Sequence, residues 1–232
     1  MNIVQNFEDV QKDLNNLNLN SKIIAVSKTF ELSHIMPLID SGHLIYGENR
    51  VQEAKKKWSE ILASRQNLEL HLIGGLQSNK AKDAVKLFQY IHSVDRKSLV
   101  DALFDAEKKE KLNRKYFIQV NTGDEDQKNG ISIGELEDLF NYSKDKINII
   151  GLMCIPPVND NATKHFEILK DLGNKLNLSE LSMGMSHDYL EAAKLGGDAV
   201  IVSRKKDIVI GSSSVGNKNN YEGRVIVYTT NP

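Results

Sequence analysis

Cysteine occurs once in the chain, at Cys154, so no intramolecular disulfide can form and a reducing compartment is allowed. A surplus of either charge is also missing. The 30 Lys and Arg nearly cancel the 31 Asp and Glu, leaving a net charge of -1. That balance argues against a nucleic-acid or anionic-membrane binder working through bulk charge. No apolar run approaches the ~18 residues of a membrane span. The first residues, 1–14, carry Glu8, Asp9 and Asp13 and lack the basic-then-apolar order of a signal peptide, so a cytoplasmic protein is expected. No second His or Cys stands at ligand spacing, which points away from a metal site. No Pro/Gly/Ser-rich linker or low-complexity tract divides the chain, and a single domain over 1–232 is expected.

Short apolar runs and helical patterns alternate throughout. Ile3, Phe7, Val10, Leu14 and Leu17 recur at helical spacing and predict a first amphipathic helix. Strand-like runs follow at 23–26, 44–46, 68–73, 90–94, 116–120 and 147–153, with a seventh opening the stretch 181–186. Val200-Ile201-Val202 and Ile208-Val209-Ile210 compete for the eighth place. Helical stretches separate the strands; one is expected to start at an N-cap Ser33 and end at Gly42. Strict alternation of eight such units predicts a single α/β domain, a (β/α)8 TIM-type barrel with an extra N-terminal helix. An open doubly wound sheet is the rival, but no glycine-rich dinucleotide fingerprint follows the first strand.

In such a barrel the C-terminal strand ends share one mouth, where the chemistry is done. Ile23-Ile24-Ala25-Val26 ends abruptly at Ser27-Lys28, placing an amine where a buried strand emerges. Partial desolvation favours a neutral amine able to attack an aldehyde and form a Schiff base. A surface lysine on a strand-to-helix loop is the plain alternative. The last two strand-end loops carry Gly184-Met185-Ser186 and Gly211-Ser212-Ser213-Ser214, whose backbone N–H and hydroxyl groups suit a phosphate. Polar turns, with Ser186 capping the next helix, would read the same way. A Schiff-base lysine opposite a phosphate cup is the layout expected for pyridoxal 5′-phosphate. Lys55-Lys56-Lys57 reads as an ordinary helix face, and His71 and His92 as satisfied strand histidines.

Ala25-Val26-Ser27-Lys28-Thr29, Gly47-Glu48-Asn49, His71-Leu72-Ile73-Gly74 with Leu76-Gln77-Ser78-Asn79-Lys80, Val120-Asn121, Gly151-Leu152-Met153 with Ile155-Pro156-Pro157, and Leu181-Ser182-Met183-Gly184-Met185-Ser186 together resemble the pyridoxal-phosphate homeostasis protein family. The blocks lie in the family's order and span about residues 20 to 195. The resemblance implies a single barrel similar to the N-terminal domain of bacterial alanine racemase. It further implies a cofactor linkage at Lys28, Asn49 close to the cofactor, and phosphate held by Ser186 and the strand-eight loop at Gly211 and Ser212. Lys128 matches a further lysine of the family pattern, although an exposed loop lysine is the simpler reading.

Beyond Gly197 the match frays. An ungapped register puts Ile201 where the family has an arginine. The register favoured here keeps Gly211-Ser212 as the cup but leaves Val209 at that arginine position, after an insertion containing Arg204-Lys205-Lys206. The resemblance implies a carrier or buffer of pyridoxal 5′-phosphate, serving vitamin B6 and amino-acid homeostasis without established turnover. The small-molecule cofactor is the expected partner, with pyridoxal-phosphate-dependent apoenzymes as recipients, a monomeric state, and neither nucleic acid nor membrane. The alternative is a racemase-like enzyme. Racemisation needs a second acid/base on the opposite face, and the residues after the last expected strand are too few for the domain that carries it in related racemases.

Overall fold

The computed structural model describes residues 3–19, 21–124, 129–185, 187–196, 199–201 and 226–229. In chain order the elements are α1 (Ile3–Asn16), β1 (Ser21–Val26), α2 (Leu32–Asp40), β2 (Ile45–Glu48), α3 (Val51–Ser64), β3 (Glu69–Leu72), α4 (Ala81–Leu87), β4 (Tyr90–Val94), α5 (Lys97–Glu110), β5 (Lys115–Asn121), β6 (Ile131–Ser132), α6 (Leu136–Ser143), β7 (Asn148–Met153), α7 (Ala162–Lys175), β8 (Glu180–Ser182), α8 (Tyr189–Lys194), β9 (Ala199–Ile201) and β10 (Ile226–Thr229). Parallel pairing runs β1-β2-β3-β4-β5-β7-β8-β9 and returns to β1 through Lys22↔Ala199, Ile23↔Val200 and Ile24↔Ile201. The ring is the expected barrel. The eighth strand takes the first of the two competing stretches, while 208–216 lies outside the described residues. Two short strands stand outside the eight expected: β6 beside β5, and β10, antiparallel to both β1 and β9.

Alternation along the strands separates two cores. Ile24 and Val26 of β1 meet Ile73, Tyr90, Phe117, Met153 and Met185 in a cluster inside the ring. The residues of opposite parity, Ile23 and Ala25 among them, pack outward against the helices together with Trp58, Leu103 and Phe166. Both faces of β1 are therefore apolar, which is why it reads as an uninterrupted run. The extra helix α1 buries Val10 and Leu14 and lies against α2 and α8. Tyr189 of α8 donates its hydroxyl to Asp13 at 2.5 Å. This is the slot between the first and last barrel helices, so α1 completes the outer layer where an eighth helix would sit.

Local boundaries correct two expectations. Helix α2 begins at Leu32, with Glu31 in the cap position and no side-chain cap bond, so Ser33 lies inside its first turn. Helix α8 is entered through Asp188, so the cap position there does not belong to Ser186. Among the described residues no helix is long and apolar enough to cross a membrane.

Candidate functional site

Lys28 follows Ile24 and Val26 at the same parity, and this carries it to the mouth directly above the interior apolar cluster. The strand end beneath it is clamped. Ser27 N–H donates to the Gly47 carbonyl at 2.9 Å, and Ser27 Oγ donates to Glu48 Oε1 at 2.7 Å. Lys57 Nζ donates to the Ser27 carbonyl at 2.6 Å and to Glu48 Oε1 at 2.9 Å. Trp58 Nε1 adds a third donor to that same oxygen at 2.9 Å. On the following residue, Thr29 N–H donates to Glu53 at 2.8 Å. Glu48 is fully buried, and its Oε2 has no hydrogen-bond partner. One carboxylate thus ties β1, β2 and α3 together beside Lys28, and α3 supplies the cation.

The mouth opens into a cavity of about 540 Å³. Nearly every strand of the ring's β1–β7 side contributes to its lining: Lys28 after β1, Asn49 and Arg50 after β2, Gly74 to Gln77 after β3, Asp95 and Arg96 after β4, Gln119 in β5, Asn129 in the following loop, and Ile155 after β7. Two glycines set its shape. A Cβ on Gly74 would lie 2.3 Å from the Asn49 carbonyl oxygen, so the loop after β3 presses directly on the Asn49 backbone. A Cβ on Gly75 would lie 3.3 Å from the Asn129 side-chain nitrogen. Gln119 Nε2 donates to the Asn129 carbonyl at 3.3 Å and ties Asn129 to β5 beside the cavity. Three cations (Lys28, Arg50, Arg96) face one carboxylate (Asp95), and Asp95 is already paired to Arg96 at 2.5 Å. The donor-rich, cationic lining with an amine at its base suits an anionic ligand bearing an electrophilic carbonyl.

Below the cavity a polar ladder crosses the barrel interior. Glu69 Oε1 meets His71 Nε2 at 2.9 Å, His71 Nδ1 meets His92 Nε2 at 2.9 Å, and His92 Nδ1 meets Ser182 Oγ at 2.8 Å. A carboxylate at one end fixes the tautomers: His71 Nε2–H donates to Glu69, His92 Nε2–H donates to His71, and the Ser182 hydroxyl donates to His92. Burial holds both imidazoles below the usual histidine range, against the pull of Glu69 on His71. His71 stacks on Tyr90 and His92 on Phe117. Both histidines are satisfied core residues, as expected. Cys154 is buried just after β7, and burial pushes its thiol well above the usual range.

The structure brings Lys28 and Asn49 to one cavity, whereas Ser186, Gly211, Ser212, Lys128, Arg204 and Val209 lie outside the described residues. It brings in Arg50 too, which the strand-end position after β2 already pointed to, and adds Gln119, Asn129 and Arg96, which sequence reasoning did not place there. It also overturns one assignment. Lys57 is not part of a solvated face: its side chain keeps 9% exposure in the pair with Glu48. The signal was present, because Lys57 sits at core phase with Ala54, Trp58 and Ile61, all of them buried.

A family model described as the N-terminal domain of alanine racemase matches residues 1–200. A pyridoxal phosphate homeostasis protein of Aquifex aeolicus is 36% identical over 191 residues, covering 78% of this chain and 83% of that protein. One from Escherichia coli K12 is 34% identical over 192 residues, covering 77% and 81%. Among solved structures, PipY of Synechococcus elongatus without PLP superposes with a TM-score of 0.71 at 34% identity, covering 75% of this chain and 86% of that one. The same protein with PLP bound superposes at 0.63. An alanine racemase of Bartonella henselae, 16% identical with a TM-score of 0.61, covers 81% of this chain and 55% of its own and shares the fold.

Proposed function

This chain belongs to the pyridoxal phosphate homeostasis protein family, and from that membership we propose that it binds pyridoxal 5′-phosphate and carries or buffers it in the cytoplasm. The observation that carries the reading is the placement of Lys28 and Asn49 in one cationic cavity at the barrel mouth. The donor set fits the group. An amine stands at the base for the aldehyde carbon, Asn49 lies in the same lining, and Gly74 locks the Asn49 backbone in place. When bound, the cofactor supplies an aldehyde that links to amines and a ring that withdraws electrons from the linked carbon.

Lys28 is the residue proposed to hold the aldehyde carbon, with Asn49 beside the ring. The phosphate is assigned to Ser186, Gly211 and Ser212. Ser27, Glu48 and Lys57 fix the strand end from which Lys28 projects. Gln119 of β5 holds Asn129 in the cavity lining. A monomer that passes its cofactor to pyridoxal-phosphate-dependent apoenzymes completes the reading. The test combines an absorption spectrum of the protein with and without added cofactor and α-deuterium exchange of amino acids in D2O. A cofactor band without sustained exchange is the expected result. Sustained exchange would make the protein a racemase-like enzyme, and no band would remove the cofactor from the account.

A further inference from the structure

The cavity carries more cation than the cofactor assignment uses, and the surplus is on one side. By chain position, the residues assigned to the phosphate follow β8 and β9, next to β1 in the ring. Arg50 and Arg96 follow β2 and β4, on the other side of β1 in the ring, with β4 opposite β9. Arg96 is held in place: Nη2 donates to the Leu76 carbonyl at 2.9 Å and lies 3.3 Å from Ser78 Oγ, while Nη1 is paired with Asp95 at 2.5 Å. Arg50 lines the same cavity, is exposed, and has no side-chain hydrogen bond or ion pair among the described residues. Gln77 and Asn129 line it too, and their side chains have no hydrogen-bond partner among the described residues. Donors grouped around one cavity, with a single carboxylate already neutralised, form an anion subsite.

We infer that Arg50, Arg96 and Gln77 form a second subsite, separate from the phosphate cup, that takes the carboxylate of a small amino or oxo acid. The Arg50 guanidinium presents a planar fork matching a carboxylate in two-point contact, and the anchored Arg96 adds its charge beside it. Asp95 cancels one of the two arginine charges, so the surplus on this side matches a monoanion better than a dianionic phosphate. A small acid seated here would place its amine or carbonyl end toward Lys28 across the shared cavity. The choice of ligand class rests on the cofactor reading of Lys28; the anion subsite itself does not.

The test follows the arginine side-chain Nε–H signals of the 15N-labelled full chain by NMR, with and without pyridoxal 5′-phosphate. The probes are pyruvate, L-alanine, L-alaninamide and inorganic phosphate. Pyruvate and L-alanine are expected to shift the Arg50 and Arg96 signals in both forms, with L-alaninamide at least 10-fold weaker. Arg50→Ala is expected to weaken pyruvate about 10-fold while leaving the cofactor absorption band intact. Arg96→Lys, which keeps the charge but not the anchored guanidinium, is expected to weaken it by less than Arg50→Ala does, so a misfolded Arg96→Ala would not decide the matter. Equal binding of L-alanine and L-alaninamide, tighter binding of phosphate than pyruvate, or an unchanged Arg50→Ala each overturns the inference. A missing cofactor band with intact pyruvate shifts would instead overturn the cofactor reading alone.

Discussion

Replacing Lys57 by Met tests whether Glu48 is the hub that fixes the Lys28 strand end. In the folded protein the Lys57 and Glu48 side chains keep 9% and 0% exposure. Removing one partner of a buried ion pair costs about 3–5 kcal/mol, because the remaining charge stays desolvated. Ser27 Oγ and Trp58 Nε1 still donate to Glu48 Oε1 in the variant, so the lower end, about 3 kcal/mol, is expected. The lost bond to the Ser27 carbonyl is part of that figure, not an addition to it. Lys55→Met on the same helix is the control. Its side chain is 59% exposed in a pair with Asp83, and such pairs contribute about 0–1 kcal/mol. Urea unfolding reads the difference: at an m-value of about 2–3 kcal/mol/M, the Lys57→Met midpoint falls by about 1 M or more with the slope unchanged. The double variant Lys57→Met/Glu48→Gln, which keeps an acceptor for Ser27 and Trp58 but removes the stranded charge, is expected to be more stable than Lys57→Met alone. A Lys57→Met midpoint indistinguishable from that of Lys55→Met would refute the hub and return Lys57 to an ordinary solvated face.

Gly74→Ala puts a methyl 2.3 Å from the Asn49 carbonyl; a destabilisation of about 1–3 kcal/mol is expected, with weaker cofactor retention by equilibrium dialysis. Burial holds His43 at about 4 and keeps His71 and His92 low as well. The unfolded chain takes up those protons near pH 6.5, so stability is full above that point and falls as pH drops toward the folded values. The slope is about 1.4 kcal/mol per pH unit for each histidine. Burial raises Glu107, Glu180 and Asp188, which opposes the trend at lower pH; urea midpoints at about pH 7.5 and 5.5 therefore make the comparison, and equal midpoints would contradict it. The buried Cys154 thiol is expected to react with a thiol-labelling reagent only after denaturant is added.

The barrel was legible because its strands are buried on both faces, so Ile23–Ile24–Ala25–Val26 stands out as an apolar block whatever its register. Parity alone then carried Lys28 to the mouth. What the pattern could not convey depends on contacts between distant segments. Arg96 reads as a loop cation, and only ring closure brings it to the cavity that Lys28 and Arg50 line. β6 is only Ile131-Ser132 and shows no apolar block that would separate it from loop, whereas β10 lies in the apolar run Val225-Ile226-Val227-Tyr228, which the search for eight alternating units left unassigned. Lys57 was legible in principle, since its helical phase matches Ala54 and Ile61, but a run of three lysines hid the phase behind composition. For the eighth strand, two apolar triplets compete, and only pairing to Lys22, Ile23 and Ile24 selects the residues Ala199–Ile201.

The most direct measurement is borohydride reduction of the protein mixed with pyridoxal 5′-phosphate, followed by peptide mass spectrometry, alongside a Lys28→Ala variant. The account predicts one stoichiometric adduct at Lys28 and none in the variant. An adduct at another lysine, or equal labelling of the variant, would contradict it.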